Sequence, residues 1–197
     1  MTYNPEIHHR QSIRLKGYDY AQAGAYFVTI CAWNKECLFG EIKDGEMMFN
    51  EYGGIIMKCW DAIPNHFPHV ETDEFIVMPN HVHGIVFINN CRGEVSSPFS
   101  KTESETIQTP EGGETPPLRK ITLGQIVAYF KYQSAKCINQ IRNAQGMPVW
   151  QRNYYEHVIR NEKELQSIRE YIVNNPIQWE MDIENPQNIK ESKLGNA

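Results

Sequence analysis

The sequence predicts a single α+β domain in which an antiparallel sheet carries its helices mainly on one face. Three observations predict it. Strand-like runs of β-branched and aromatic residues are joined by connections short enough for antiparallel pairing. The elements run strand, hairpin, helix, two strands, helix, short strand, helix, which suits one mixed layer arrangement. The 197 residues are 41% hydrophobic and 11% aromatic, enough to bury one core.

Residues 1–24 read as a basic N-terminal arm, polar and rich in aromatics. Tyr26 to Trp33 reads as a central strand. Cys37 to Ile42 and Glu46 to Phe49 flank Lys43-Asp44-Gly45, where Asp-Gly signals a tight hairpin. Asn50 can cap a helix with apolar positions at Tyr52, Ile55, Ile56, Cys59, Trp60 and Ile63, ended near Pro64. Val70 to Met78 and His81 to Ile88 form two strands around Pro79-Asn80. Residues 91–117 are rich in Ser, Thr, Glu, Gly and Pro and read as a flexible insertion. A helix starts near Thr122, with Leu123, Ile126, Val127, Phe130, Cys137, Ile138 and Ile141 on its apolar stripe, and stops before Gly146 and Pro148. Trp150 to Ile159 suggests short strands. Asn161 and Glu164 have the spacing of a capping box for a last helix, which runs to about Asn174 before Pro176. Residues 181–197 read as a polar, frayed tail. The main domain is thus 25–180.

No apolar run approaches the ~18 residues of a membrane span, and no apolar segment of a secretory signal is visible. The five cysteines are scattered, with no Cys-x-x-Cys pair, which suggests neither a disulfide framework nor a cysteine zinc site. A soluble intracellular protein is expected.

The formal net charge is −5, which argues against a nucleic-acid partner. Its distribution argues otherwise. Residues 118–160 carry +6, and all other residues together −11. Arg10, Arg14 and Lys16 form a second basic cluster. Because salt screens charges beyond about 8 Å, a phosphate backbone responds to the local cluster rather than to the average.

His81-Val82-His83 is the sharpest chemical feature. On a strand, residues i and i+2 share a face, so two imidazoles converge as a pair of metal ligands while Val82 points into packing. An exposed pair beside a hairpin has the same spacing. Tyr171 and Asn175, four apart, share a helix face. Tyr171 also lies on the stripe of Ile168 and Ile172, an ordinary place for a core aromatic. Asn175 before Pro176 is an ordinary helix end.

The string from Phe75 to Ile85, with His81-Val82-His83 at its centre, resembles the HUH motif of single-strand DNA transposases, two histidines around a bulky apolar residue. Val149 to Arg160, followed by Tyr171-Ile172-Val173-Asn174-Asn175-Pro176, resembles the C-terminal signature of the REP-associated tyrosine transposases. Arg14 to Tyr20 and Phe39-Gly40-Glu41-Ile42 are similar to that group too. The resemblance covers most of residues 10–179 outside the insertion.

The resemblance implies a ferredoxin-like (RRM-like) sheet and a C-terminal helix carrying the catalytic tyrosine. Carried over, His81 and His83 are metal ligands, Tyr171 is the nucleophile and Asn175 is the third ligand, at a place where mobile relatives usually have Gln. Tyr154 and Tyr155 remain alternative nucleophiles. The implied cofactor is Mg²⁺ or Mn²⁺. The implied reaction is cleavage and rejoining of single-stranded or hairpin DNA through a 5′-phosphotyrosine, and the alternative is a hairpin-binding regulatory module that does not cleave. Arg10, Arg14, Lys16, Lys131, Lys136 and Arg152 are the candidate DNA contacts, and Trp150, Tyr154 or Tyr155 could stack on bases. The resemblance implies a bacterial, cytoplasmic, nucleoid-associated protein, as monomer or homodimer. A separation of a few ångströms between Tyr171 and the histidine pair in one chain marks a site composed in cis.

Overall fold

The computed structural model describes residues 15, 17–89, 120–182 and 184–188. Arg10, Arg14, Lys16, the insertion 91–117 and most of the arm and tail lie outside the described residues. Six strands and four helices are described: β1 (Gly24–Cys31), β2 (Gly40–Lys43), β3 (Glu46–Phe49), α1 (Glu51–Asp61), α2 (Ile63–His66), β4 (Val70–Val77), β5 (His81–Ile88), α3 (Leu123–Ile141), β6 (Tyr155–Ile159) and α4 (Glu162–Asn174).

The main sheet has the order β4-β5-β1-β6, with all pairs antiparallel. Helical crossovers precede β4 and β6, giving the ferredoxin-like βαββαβ path expected. The hairpin β2–β3 stands apart from this sheet. Its turn residues Asp44 and Gly45 both take positive φ (52° and 78°), the backbone that a two-residue hairpin needs.

Side chains on the sheet alternate between two packed faces. Tyr26, Val28, Ile30, Val82 and Val86 meet Ile56 and Trp60 of α1 and Ile126, Val127 and Phe130 of α3. Ala25, Phe27, Ile85 and Ile159 point the other way and meet Leu165 and Ile172 of α4. The two larger helical contributions therefore share one face, and among the described helices α4 crosses the other.

The helix starts follow their local chemistry. Asn50 accepts from the amides of Tyr52 and Gly53, and Thr122 forms a reciprocal capping box with Gln125. The Asn161 cap is only half of the expected box. Its side chain accepts from Glu164 N, but the Glu164 carboxylate reaches back to Arg160 N and to His157 Nε2, both at 2.7 Å. That ties α4 to the end of β6. The first helix ends at Asp61, and Pro64 sits in the first turn of α2, where its missing N–H has no partner to lose. Trp150 to Ile159 holds one strand, β6, and a single bridge from Trp150 to Ala32.

A further anchor holds α4 on the sheet. Arg169 Nε and Nη2 donate to Asp73 Oδ2 at 2.8 and 2.6 Å. Asp73 lies where the β4–β5 register shifts, between Thr72 and Phe75. No helix among the described residues is long and apolar enough to cross a membrane.

Gly84 is fixed by close approach. A Cβ there would lie 2.4 and 2.6 Å from the Trp60 indole, which itself stacks on Phe75 with ring centroids 4.3 Å apart. Gly84→Ala is therefore expected to lower the unfolding free energy in urea melts by about 1–3 kcal/mol. Gly54→Ala, in open space on α1, should raise it by about 0.5–1 kcal/mol. Equal stability of the two variants would refute this packing account.

Candidate active site

Strand alternation on β5 sends Val82 into the α1/α3 core and turns His81 and His83 toward α4. Both histidines are buried, at 0% and 3% exposure, so neither belongs to an exposed pair beside a turn. Their Nε2 atoms converge to 3.0 Å.

The opposite ring nitrogens are held from behind. His81 Nδ1 lies 2.9 Å from Asn80 Oδ1, and His83 Nδ1 lies 2.9 Å from Thr29 Oγ1. Thr29 is the register partner of His83 on β1. Asn80 has only one possible orientation, because its Nδ2 donates to the carbonyls of Lys35 and Glu184 at 3.1 and 2.7 Å. Its Oδ1 must then accept a hydrogen bond from His81 Nδ1–H, which leaves His81 Nε2 as the acceptor in its 3.0 Å contact with His83 Nε2. Burial first, then the neighbouring charges of His83 and Lys35, drive the His81 pKa well below the ordinary histidine value. Burial lowers that of His83 to about 3. Both rings are thus neutral near pH 7, the state in which imidazole donates to a metal.

Tyr171 comes down on the pair from α4. Its ring packs edge-on against Phe27 and His83, with centroids 6.0 and 5.2 Å away. Its hydroxyl lies 3.4 Å from His83 Nε2 within the one chain. At 43% exposure it is half open to solvent and not a core aromatic. Burial and the Asp182 charge push its pKa up, the Asn175 amide pulls it down, and the Glu184 charge adds a smaller push upward. Asn175 closes α4, its amide bonded to Ile172 O. Its side chain is 2% exposed, and its Oδ1 is buried without a hydrogen-bond partner. A helix end alone does not account for that orphaned acceptor.

One acid enters that the sequence reading did not anticipate. The segment after α4 is not frayed at its start. Pro176–Met181 forms a 3₁₀ helix, and Asp182 follows with Oδ2 at 3.8 Å from His81 Nε2. Ligand atoms of His81, His83 and Asp182 all lie within 4.8 Å of one another. Glu184 fastens the segment through its carbonyl to Asn80, an ion pair to Lys35 at 2.8 Å and a contact from Cys31 Sγ at 3.5 Å.

The other candidates are scattered. Tyr155 leans on Phe27 at 6.4 Å, and Tyr154 lies under the Lys131 ammonium at 5.4 Å. Trp150 is a core residue that donates to Ser134 Oγ. Lys136 and Arg152 are exposed, as DNA contacts need to be. Lys131 is not disposed that way. Its ammonium donates to the carbonyls of Gln151 and Asn153, both at 2.9 Å, and burial lowers its pKa to about 8.

No established family profile matches the chain. It is 46% identical over 91% of its length to a Haemophilus influenzae protein described as "Uncharacterized protein", covering 95% of that protein. It is 23% identical to a second protein of that organism, described as "Putative REP-associated tyrosine transposase", over 81% of this chain and 73% of the relative. Among solved structures it superposes on a REP-associated tyrosine transposase bound to a REP hairpin with TM-score 0.51 and 17% identity, over 84% of this chain and 74% of that one. That last likeness is one of fold.

Nitrogen-resolved NMR of the metal-free protein should find His81 in the Nδ1–H tautomer. The histidine shifts also set a pH dependence. Below the unfolded-state pKa of about 6.5 the unfolded chain takes up protons that the buried rings refuse, so stability falls as pH drops toward 3. Urea melts should lose about 1–2 kcal/mol per histidine between pH 6.5 and 5, and His83→Gln should remove its share of that slope.

Proposed function

We propose that this chain, which belongs to one family with the uncharacterised Haemophilus influenzae protein and has the fold of the REP-associated tyrosine transposases, binds hairpin DNA and cuts and rejoins a single strand through Tyr171. The observation that carries this reading is the Tyr171 hydroxyl 3.4 Å from His83 Nε2, with His81 Nε2 a further 3.0 Å away, in one chain. The fold relative is bound to a REP hairpin, which supports a folded single strand as the partner class.

The donor set fits a divalent cation, Mn²⁺ better than Mg²⁺: two neutral imidazoles whose Nε2 atoms converge and a buried amide oxygen, Asn175 Oδ1, with no partner of its own. When bound, such an ion supplies polarisation of the scissile phosphodiester. His81, His83 and Asn175 would hold it, with Asn80 and Thr29 fixing the ring orientations from behind.

Tyr171 does the covalent work. Its oxygen attacks phosphorus in line, the new tyrosine O–P bond forms and the bond to the 3′ oxygen breaks. The phenol loses its proton and the departing 3′ oxygen gains one. Attack by a 3′-hydroxyl reverses each change and frees Tyr171, so the bond energy is conserved for rejoining. The packing of Tyr171 on Phe27 limits the swing of the ring, and its half-exposed position leaves the strand a path to the hydroxyl. Lys136 and Arg152 would meet the backbone, with Arg10, Arg14 and Lys16 contributing from outside the described residues. Lys131 would act indirectly, by fixing the 151–153 loop that carries Arg152.

Single-stranded hairpin oligonucleotides incubated with the protein and Mn²⁺ should yield a covalent adduct on denaturing gels. Tyr171→Phe should abolish the adduct and leave hairpin affinity within about threefold, since one hydroxyl outside the phosphate contacts is removed. An adduct that persists in Tyr171→Phe would sink the assignment. Hairpin binding without any adduct would favour a module that recognises DNA without cleaving it.

A further inference from the structure

We propose that Asp182 is a carboxylate ligand of the divalent cation held by His81 and His83, delivered by the segment that follows α4. The inference rests on the cation site proposed above and adds a charged oxygen to its neutral donors.

The geometry around Asp182 distinguishes a ligand from an ion-pair partner. Its Oδ2 lies 3.8 Å from His81 Nε2, beyond hydrogen-bond length. That nitrogen carries no proton to offer, because the His81 proton is on Nδ1 and bonded to Asn80. Two acceptors thus face each other across a gap, with His83 Nε2 within the same 4.8 Å cluster. Neither His81 Nε2 nor Asp182 Oδ2 can donate to the other, and a cation between them would satisfy both, in place of the His83 Nε2–H that His81 Nε2 accepts from at 3.0 Å in its absence. Asn175 Oδ1, one helical turn beyond Tyr171, is a further buried acceptor without a partner.

Asp182 is also held as a ligating carboxylate is. Its Oδ1 accepts from Glu184 N at 2.6 Å, which leaves Oδ2 for the site. Its side chain is only 7% exposed. The Glu184 carbonyl bonds the same Asn80 that orients His81, so one side chain sets the position of both ligands. Two imidazoles and a carboxylate bind Mn²⁺ more tightly than Mg²⁺, and the added charge raises affinity for either.

The test is Mn²⁺ binding to the full chain, by titration calorimetry and by the paramagnetic resonance signal of free Mn²⁺, with Mg²⁺ as competitor. Asp182→Asn keeps the size of the side chain and an oxygen for Glu184 N, and should weaken Mn²⁺ binding at least tenfold. Asp182→Ala should weaken it as much, and Asp182→Glu less. Melting curves in chelator show that each variant is folded. Asp182→Asn and Asp182→Ala both binding within twofold of the parent, while His81→Ala loses binding, would overturn the role of Asp182 and leave the histidine site standing. A parent chain that binds no Mn²⁺ would overturn both.

Discussion

The period-two alternation of β5 is the constraint on which the rest of the molecule depends. It sends Val82 to one face and His81 and His83 to the other, and it does so on a strand paired along both edges. A one-residue slip would turn the histidines into the α1/α3 core and send the core side chains toward α4. The α1/α3 face is sealed by Trp60 over Gly84, which leaves the opposite face for α4 and its tyrosine. The register with β1 then supplies Thr29 opposite His83.

Much of this was legible in the residues, because it depends on short-range geometry. The histidine pair, the shared helical face of Tyr171 and Asn175, the Asp44-Gly45 hairpin and the caps at Asn50 and Thr122 are each set by spacings of four residues or fewer. What the sequence hid depends on distant parts of the chain meeting. Thr29 matters through strand register. Asn80 matters because two carbonyls, one of them more than a hundred positions away, settle which way its amide faces. Asp182 sits in a stretch whose polar composition looks like a tail, and no local pattern records that it folds back.

Charge counting shows the same boundary between local and tertiary information. The basic stretch 118–160 is real, but its members differ in availability. Lys136 and Arg152 face solvent, whereas Lys131 neutralises the carbonyl ends of a loop and is partly desolvated in doing so. Likewise His157 and Glu164 satisfy each other at the seam between β6 and α4. A formal charge becomes an electrostatic footprint only after the fold has claimed its share.

The two-edged pairing of β5 also divides the candidate site between a fixed strand and one later stretch of chain. His81 and His83 cannot shift without breaking hydrogen-bond ladders on both sides of their strand. Tyr171, Asn175 and Asp182 all arrive within a stretch of twelve residues, held by one small apolar patch, the Arg169–Asp73 clamp and the Glu184 latch. A rearrangement of that stretch would carry all three groups together and leave the histidine pair in place. One half of the candidate site is thus built into the sheet, and the other half is carried by α4 and the segment after it.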